Sequence, residues 1–203
     1  SQIYIADFNT SLKKEYLWPH IQRFKKQYPD VDIYLDSVNP ADVLDKLESN
    51  NCDIAFAPNW ERPAFEQGEF IVRTAYRCPM CVWIPKVNPL CQKESVEVKD
   101  LKDETFIIVL PIILNHYEKS VIELCQNAGF TPKKIIQVPN IPMAALQMKL
   151  GNGVIIRDMV FDGEDTTNAR IYPLPGTEGG TIIAWRKDND NVNVKRFIQL
   201  YED

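Results

Sequence analysis

Short apolar runs alternate with amphipathic stretches along most of this chain. Residues 3–6 form an apolar run that predicts a strand, and the apolar positions of residues 12–28 recur every three to five residues, which predicts a helix. Pro19 lies inside that helical pattern and should make the helix kink or restart. Residues 31–35 alternate as a half-buried strand does, and residues 52–57 are almost continuously apolar, as in a central parallel strand.

The same alternation continues through the middle of the chain. Asn115 and Glu118 have the spacing of a capping box, and Asn39 before Pro40 has the pattern of a helix N-cap. Further strands are expected at 69–77, 80–84, 105–110, 135–138, 154–156, 171–174 and 181–185, and further helices at 115–128, 143–150 and 192–201. This order favours an α/β architecture built on parallel strands.

Polar residues follow the first and third predicted strands. Asn9, Thr10 and Ser11 come after the first strand, and Asn59 and Trp60 come after the third. In an α/β fold the carboxyl ends of parallel strands form the edge where small ligands bind, close to free N–H groups at helix N-termini. The pattern therefore predicts a small-molecule site, although Asn, Thr and Ser are also the ordinary residues of a helix cap.

The composition of the 203 residues is that of a globular protein with an acidic balance. The net charge is −5 and the pI is near 5.2, which argues against a nucleic-acid-binding surface on this chain. No apolar run approaches the roughly 20 residues needed to cross a membrane, and no secretory leader precedes the first strand. Because the first residue is Ser, the chain is expected to be a fragment or a processed chain.

Five cysteines and two histidines are the main candidates for reactive chemistry. An odd number of cysteines is unlike a disulfide framework and favours a reducing compartment, the cytoplasm. Cys78 and Cys81 form a C-x-x-C, followed by Cys91, but the pair lies at the start of a predicted strand, so buried thiols are expected. The sequence shows no motif for catalysis, and we expect no metal, no cofactor and no enzymatic activity.

A set of short motifs resembles one protein family along nearly the whole chain. In the first third these motifs are Trp18-Pro19, Phe24, Tyr28-Pro29, Leu44, Leu47 and Cys52-Asp53-Ile54-Ala55. They continue as residues 82–89, residues 98–101, Gly129-Phe130 and residues 150–156. Their order resembles that of the effector-binding domain of LysR-type transcriptional regulators.

This resemblance implies a fold of two Rossmann-like lobes joined by two crossover segments, as in type 2 periplasmic binding proteins. The first lobe would be residues 1–73 plus 174–203, and the second lobe residues 74–173. It implies a cytoplasmic sensor that binds a small effector in the cleft between the lobes and forms a homodimer or tetramer. The first helix and the helix near 115–128 would form the dimer contacts. DNA would be bound only by an N-terminal winged helix-turn-helix domain, absent from this chain, and no membrane contact is implied.

The resemblance also extends the predicted site into the second lobe. Its effector contacts there would be Leu110, Pro111, Asn140 and Ile141, with Arg157 as a partner for an anionic group. The family pattern has a proline at Arg157, and the loop before the first helix is about two residues longer than usual. Both departures fall at the predicted pocket, so the effector need not be typical of the family.

Two other readings fit the same predicted lobes. A solute-binding protein of a transporter would have the same architecture, and an upstream signal peptide would distinguish it from a regulator. A dehydratase acting on a small acid is a third reading, in which His116 and Arg157 would be needed for turnover.

Overall fold

The computed structural model describes residues 1–8, 16–111, 116–158 and 167–201 of the chain. The strands within those ranges are β1 (Gln2–Phe8), β2 (Asp32–Val38), β3 (Ile54–Pro58), β4 (Phe70–Cys78), β5 (Met80–Pro85), β6 (Thr105–Val109), β7 (Lys134–Val138), β8 (Ile155–Asp158), β9 (Ala169–Pro173) and β10 (Gly179–Arg186). The α-helices are α1 (Trp18–Gln27), α2 (Val43–Glu48), α3 (Arg62–Glu66), α4 (Tyr117–Asn127), α5 (Ile141–Lys149) and α6 (Val192–Ile198).

The chain divides into two compact units. Unit 1 contains Ser1–Arg77 and Gly180–Asp203, and unit 2 contains Cys78–Gly179. The chain leaves unit 1 at the end of β4 and returns at the start of β10, slightly later in the sequence than the motif spacing suggests.

Unit 1 is built on a five-stranded sheet in the order β2-β1-β3-β10-β4. β1 runs parallel to both β2 and β3, whereas β10 runs antiparallel to β3. The sheet is therefore mixed and not purely parallel as expected from the alternation of strands and helices. The reason is that β10 does not follow a crossover helix within unit 1 but enters from unit 2.

The core of unit 1 lies between this sheet and helices α1 and α6. Phe24 of α1 and Phe197 of α6 are fully buried, with their ring centroids 5.4 Å apart. Pro19 lies in the first turn of α1, where its missing N–H breaks no helical hydrogen bond.

Unit 2 contains a three-stranded sheet in the order β8-β5-β9 and a two-stranded parallel sheet of β6 and β7. A parallel bridge between Phe106 and Val154 joins the two sheets beside β8. Helix α5 packs on one face through Ala144 and Met148, which share a buried cluster with Trp83.

Three local expectations have different outcomes. Asn39 occupies an N-cap position with Pro40 in the first turn after it, as predicted, but that turn is a short 3-10 turn at Pro40–Asp42 before α2, and the Asn39 side chain makes no capping hydrogen bond within the described part of the chain. The expected capping box involves Asn115, which lies outside the described residues, and Glu118 accepts a hydrogen bond from Gln137. β2 is mostly exposed and not half-buried, because it is an edge strand.

Candidate functional site

The carboxyl ends of three strands of unit 2 lie along one edge. β6 and β7 are parallel with Val109 opposite Val138, and the Phe106–Val154 bridge shows that β8 runs in the same direction. The predicted site residues that this edge brings together are Leu110 and Pro111 after β6, Asn140 and Ile141 after β7, and Arg157 in β8. This edge is therefore the part of unit 2 where a small ligand would meet several side chains at once.

Arg157 lies near the end of β8 in the part that pairs with β5, directly opposite Cys81. It was expected just beyond the strand, but the ladder with β5 continues to Asp158. The guanidinium carbon lies 4.8 Å from the centroid of the Trp83 ring, a cation–π geometry. Since Arg157 is half-buried and Trp83 is buried, the indole holds the positive charge at the edge of the apolar core.

Asn140 and Ile141 form the start of helix α5. The Asn140 side-chain oxygen accepts a hydrogen bond from the Met143 backbone N–H at 2.9 Å and so caps the helix. Asn140 is exposed, and its amide NH2 group is a hydrogen-bond donor at this edge. Ile141 is 45% exposed and adds an apolar surface beside it.

Leu110 and Pro111 continue the chain beyond β6. The Leu110 backbone N–H donates to the Val138 carbonyl at 3.0 Å, which extends the pairing of β6 with β7. Leu110 is half-buried and Pro111 is exposed. Together with Ile141 they give the edge of unit 2 an apolar component beside the charge of Arg157.

The corresponding edge of unit 1 is formed by the ends of β1 and β3. These strands are parallel, with Ile5 opposite Ile54. Asn59 and Trp60 occupy a 3-10 turn directly after β3 and are half-buried. The Asn59 side-chain oxygen accepts a hydrogen bond from the Arg62 Nε at 3.4 Å. Asn9, Thr10 and Ser11 lie outside the described residues.

A buried carboxylate at this edge has partners that sequence patterns did not reveal. Asp7 is 3% exposed and accepts a hydrogen bond from the hydroxyl of Tyr16. The Tyr16 carbonyl in turn accepts a hydrogen bond from the Tyr201 hydroxyl at 2.6 Å. Burial and the nearby Asp7 carboxylate raise the pKa of Tyr201, so its hydroxyl remains a donor. The acidic residue was visible in the sequence, but its link to the last helical turn was not, because 185 positions separate Tyr16 from Tyr201.

A groove of about 510 Å³ runs along helix α4, from the residue before it to Gln126 near its end. His116 lines it, in a left-handed backbone conformation with φ 60°. The other lining residues are Pro111, Glu118, Lys119, Ile122, Glu123 and Gln126. His116, one of the two residues that the dehydratase alternative requires, thus lies on this groove of mixed polarity.

The cysteines are buried free thiols, as the sequence predicted. Burial raises the pKa of Cys52 and of Cys125 to about 11 and that of Cys81 to about 12. These raised pKa values favour the protonated thiol at neutral pH, which is a weaker nucleophile and metal ligand than the thiolate. In residues 1–8, 16–111, 116–158 and 167–201, the His, Cys, Asp and Glu side chains form no group of three able to hold a metal ion.

None of the helices described above is both long enough and apolar enough to cross a membrane.

Two proteins similar in sequence to this chain are transcriptional regulators. The chain is 26% identical over 205 residues to the HTH-type transcriptional regulator AlsR of Bacillus subtilis, which covers 97% of this chain and 64% of AlsR. It is 23% identical over 183 residues to the HTH-type transcriptional regulator BudR of Raoultella terrigena, which covers 89% of this chain and 62% of BudR. The chain thus spans less than two thirds of the length of these curated relatives.

Solved structures show the same fold. The effector-binding domain of a BenM variant matches with a TM-score of 0.82 and 19% identity, covering 98% of this chain and 92% of that domain. The effector-binding domain of QuiR in complex with shikimate matches with a TM-score of 0.81 and 14% identity, covering 99% of this chain and 95% of that domain. These likenesses confirm the predicted α/β fold of two Rossmann-like lobes, of the type 2 periplasmic-binding-protein kind.

A family model provides the strongest assignment. The model of the LysR substrate binding domain matches residues 7–203, nearly the whole chain. The resemblance read from the short motifs is thereby confirmed, and this chain belongs to the LysR substrate-binding domain family.

Proposed function

We propose that this chain is the effector-sensing part of a LysR-type transcriptional regulator. Its membership of the LysR substrate-binding domain family supports this function, and so do its named relatives, which are transcriptional regulators. We place the protein in the cytoplasm and assign it no catalytic activity. DNA binding belongs to a part of the regulator outside these 203 residues.

The observation that carries the proposal is the position of Arg157. A half-buried guanidinium stands at the carboxyl edge of unit 2, and the same edge carries an amide donor on Asn140 and an apolar surface on Ile141. Small-molecule sites typically contain a small number of polar groups among mainly apolar side chains. A small molecule with an anionic group and an apolar part matches this arrangement, because Arg pairs with planar anions through two parallel hydrogen bonds.

Two structural relatives support an organic anion. One is described as the BenM effector-binding domain with its effector benzoate, and the other as the QuiR effector-binding domain in complex with shikimate. Both compounds are carboxylates. We extend this ligand class to the present chain and leave the individual compound open to screening.

Effector binding affects transcription because it is thermodynamically coupled to a change of conformation. A ligand shifts a conformational equilibrium only by as much as its affinities for the two conformations differ. We propose that the effector binds one conformation of the chain more tightly and so changes the arrangement of copies in a homodimer or tetramer. The attached DNA-binding domains then engage the promoter differently.

A thermal-shift screen of small organic acids tests this function. At a ligand concentration of 100 times Kd, we expect a stabilisation of about 2.7 kcal/mol, which raises the melting temperature by roughly 5–10 °C. Arg157→Ala should abolish this shift. Arg73→Ala is the matched control, because Arg73 also stacks on a tryptophan, with its guanidinium carbon 5.9 Å from the Trp185 ring centroid. A shift that survives in Arg157→Ala, or a screen in which no acid stabilises the wild type, would contradict the proposal.

A further inference from the structure

Two side-chain donors hold the backbone on either side of Arg157. The Tyr117 hydroxyl, at the start of α4, donates to the carbonyl of Ile156. The Cys81 thiol, on β5, donates to the carbonyl of Asp158 at 3.0 Å. The residues that precede and follow Arg157 are therefore each fixed by a side chain from another element.

The Tyr117 hydroxyl satisfies a carbonyl of β8 that faces β6. The carbonyl of Val154 accepts a hydrogen bond from the Ile107 N–H of β6 at 2.9 Å. Carbonyls of alternate residues point to the same side of a strand, so the carbonyl of Ile156 also faces β6. β6 meets this stretch through the bridge at Val154, and the Tyr117 hydroxyl satisfies the carbonyl of Ile156, two residues later.

Cys81 and Trp83 act from the face of β5 on which Arg157 lies. Cys81 pairs directly with Arg157 in the antiparallel ladder, and Trp83, two residues later, presents its ring on the same face. The guanidinium lies over that ring. The backbone of Arg157 is thus fixed by Cys81 and Tyr117 while its side chain is oriented by Trp83.

Both donors keep their protons over the physiological pH range. Burial raises the pKa of Cys81 to about 12 and moves the pKa of Tyr117 above its ordinary value of 10. A thiol in this state is unsuited to redox exchange but serves as a permanent hydrogen-bond donor.

We propose that Tyr117 and Cys81 are positioning residues that set Arg157 for effector binding. This inference rests on the proposed function of the site. It assigns a role to one cysteine of the C-x-x-C pair that requires neither a metal nor a disulfide. Loss of either donor should displace the Arg157 side chain from Trp83 and lower effector affinity by roughly 5- to 10-fold.

The test reads the Arg157–Trp83 contact without any ligand. The chain is labelled with 5-fluorotryptophan, and its fluorine resonances are recorded by NMR, with Trp83→Phe identifying the Trp83 signal. Arg157→Ala should move this signal. Tyr117→Phe should move it in the same direction. Because the Cys81 side chain also contacts Trp83 directly, Cys81→Ala is compared with Cys81→Ser, which keeps a donor and should leave the signal nearer its wild-type position. Cys125→Ala is the control. Cys125 is also a fully buried thiol, but it lies in α4, and within the described residues its thiol makes no hydrogen bond to β8.

A double-mutant cycle separates positioning from a merely structural effect. In the Arg157→Ala background, Tyr117→Phe should leave the Trp83 signal almost unchanged, because the group that it positions is gone. Cys81→Ala should move the signal less than in the wild-type chain, because only the direct contact of Cys81 with Trp83 is then lost. Equal displacements with and without Arg157, or no displacement in the single variants, would overturn the proposal. If no organic acid binds, the proposed function fails while this signal still responds, so the two failures are distinguishable.

Discussion

Asp7 illustrates how a single buried charge can organise its surroundings. Its carboxylate is buried at the end of β1 in unit 1 and accepts a hydrogen bond from the Tyr16 hydroxyl. The Tyr16 ring also packs against Phe56, with the ring centroids 5.1 Å apart. Burying a carboxylate is costly unless hydrogen bonds compensate. The hydroxyl of Tyr16 is therefore a stabilising element at this edge and not merely part of the apolar packing.

Removal of that hydroxyl gives a prediction at the residue scale. Tyr16→Phe should lower the free energy of unfolding by about 1.5–3 kcal/mol, because it deletes a hydrogen bond to a buried charged group. Tyr34→Phe is the control, since Tyr34 is 47% exposed and its hydroxyl can be solvated; its effect should stay within about 0.5 kcal/mol. Urea denaturation followed by circular dichroism measures both, and equal losses would contradict the assignment.

At the scale of elements, β10 depends on a close approach of two backbones. Gly180, near its start, has φ +95°, and a Cβ added there would fall against the carbonyl oxygen of Tyr76. Gly129 after α4 has the same φ, but a Cβ there would meet open space. The two glycines therefore separate backbone strain from steric overlap.

Alanine substitutions at these glycines should differ clearly in cost. Gly129→Ala should cost about 1 kcal/mol, from backbone strain alone. Gly180→Ala should cost roughly 3 kcal/mol or more, because the carbonyl of Tyr76 must also move. Melting temperatures of the two variants beside the wild type provide the comparison. Similar losses would show that β10 and β4 can separate at little cost.

The sequence was sufficient for the presence of most elements but not for their pairing. Apolar runs such as residues 52–57 and 181–185 identify buried strands, yet the same run suits parallel or antiparallel neighbours. The direction of β10 depends on where the chain comes from, which is a long-range property.

The candidate site was predictable only in part. The site residues after β6 and β7 came from the resemblance to the LysR family, and the shared edge of parallel strands is consistent with their position. The donors from Tyr117 and Cys81 could not, since they lie 39 and 77 positions from the carbonyls that they meet. Arg157 was expected after its strand because an apolar run cannot show that pairing continues through a charged residue.

At the scale of the whole molecule, the charge balance constrains what the chain binds. A net charge of −5 opposes contact with the phosphate backbone, whose binding depends on Lys and Arg displacing counterions. The proposed division of labour therefore has this chain bind the effector and another part of the regulator bind DNA.

Electrophoretic mobility of a promoter duplex tests that division. The 203-residue chain should leave the duplex unshifted at micromolar protein concentrations and low salt, with or without organic acids. The complete regulator should retard the same duplex. Retardation by the 203-residue chain alone would show that it carries a DNA-binding surface of its own.

Because each unit contains at least one buried cysteine, thiol labelling can follow the unfolding of the two units separately. Cys52 lies in unit 1, whereas Cys78, Cys81, Cys91 and Cys125 lie in unit 2, and all five are buried. A thiol reagent in solution can reach them only when the surrounding structure opens. The order in which Cys52 and the other four cysteines are labelled therefore shows which unit unfolds first, and no cysteine has to be engineered into the chain.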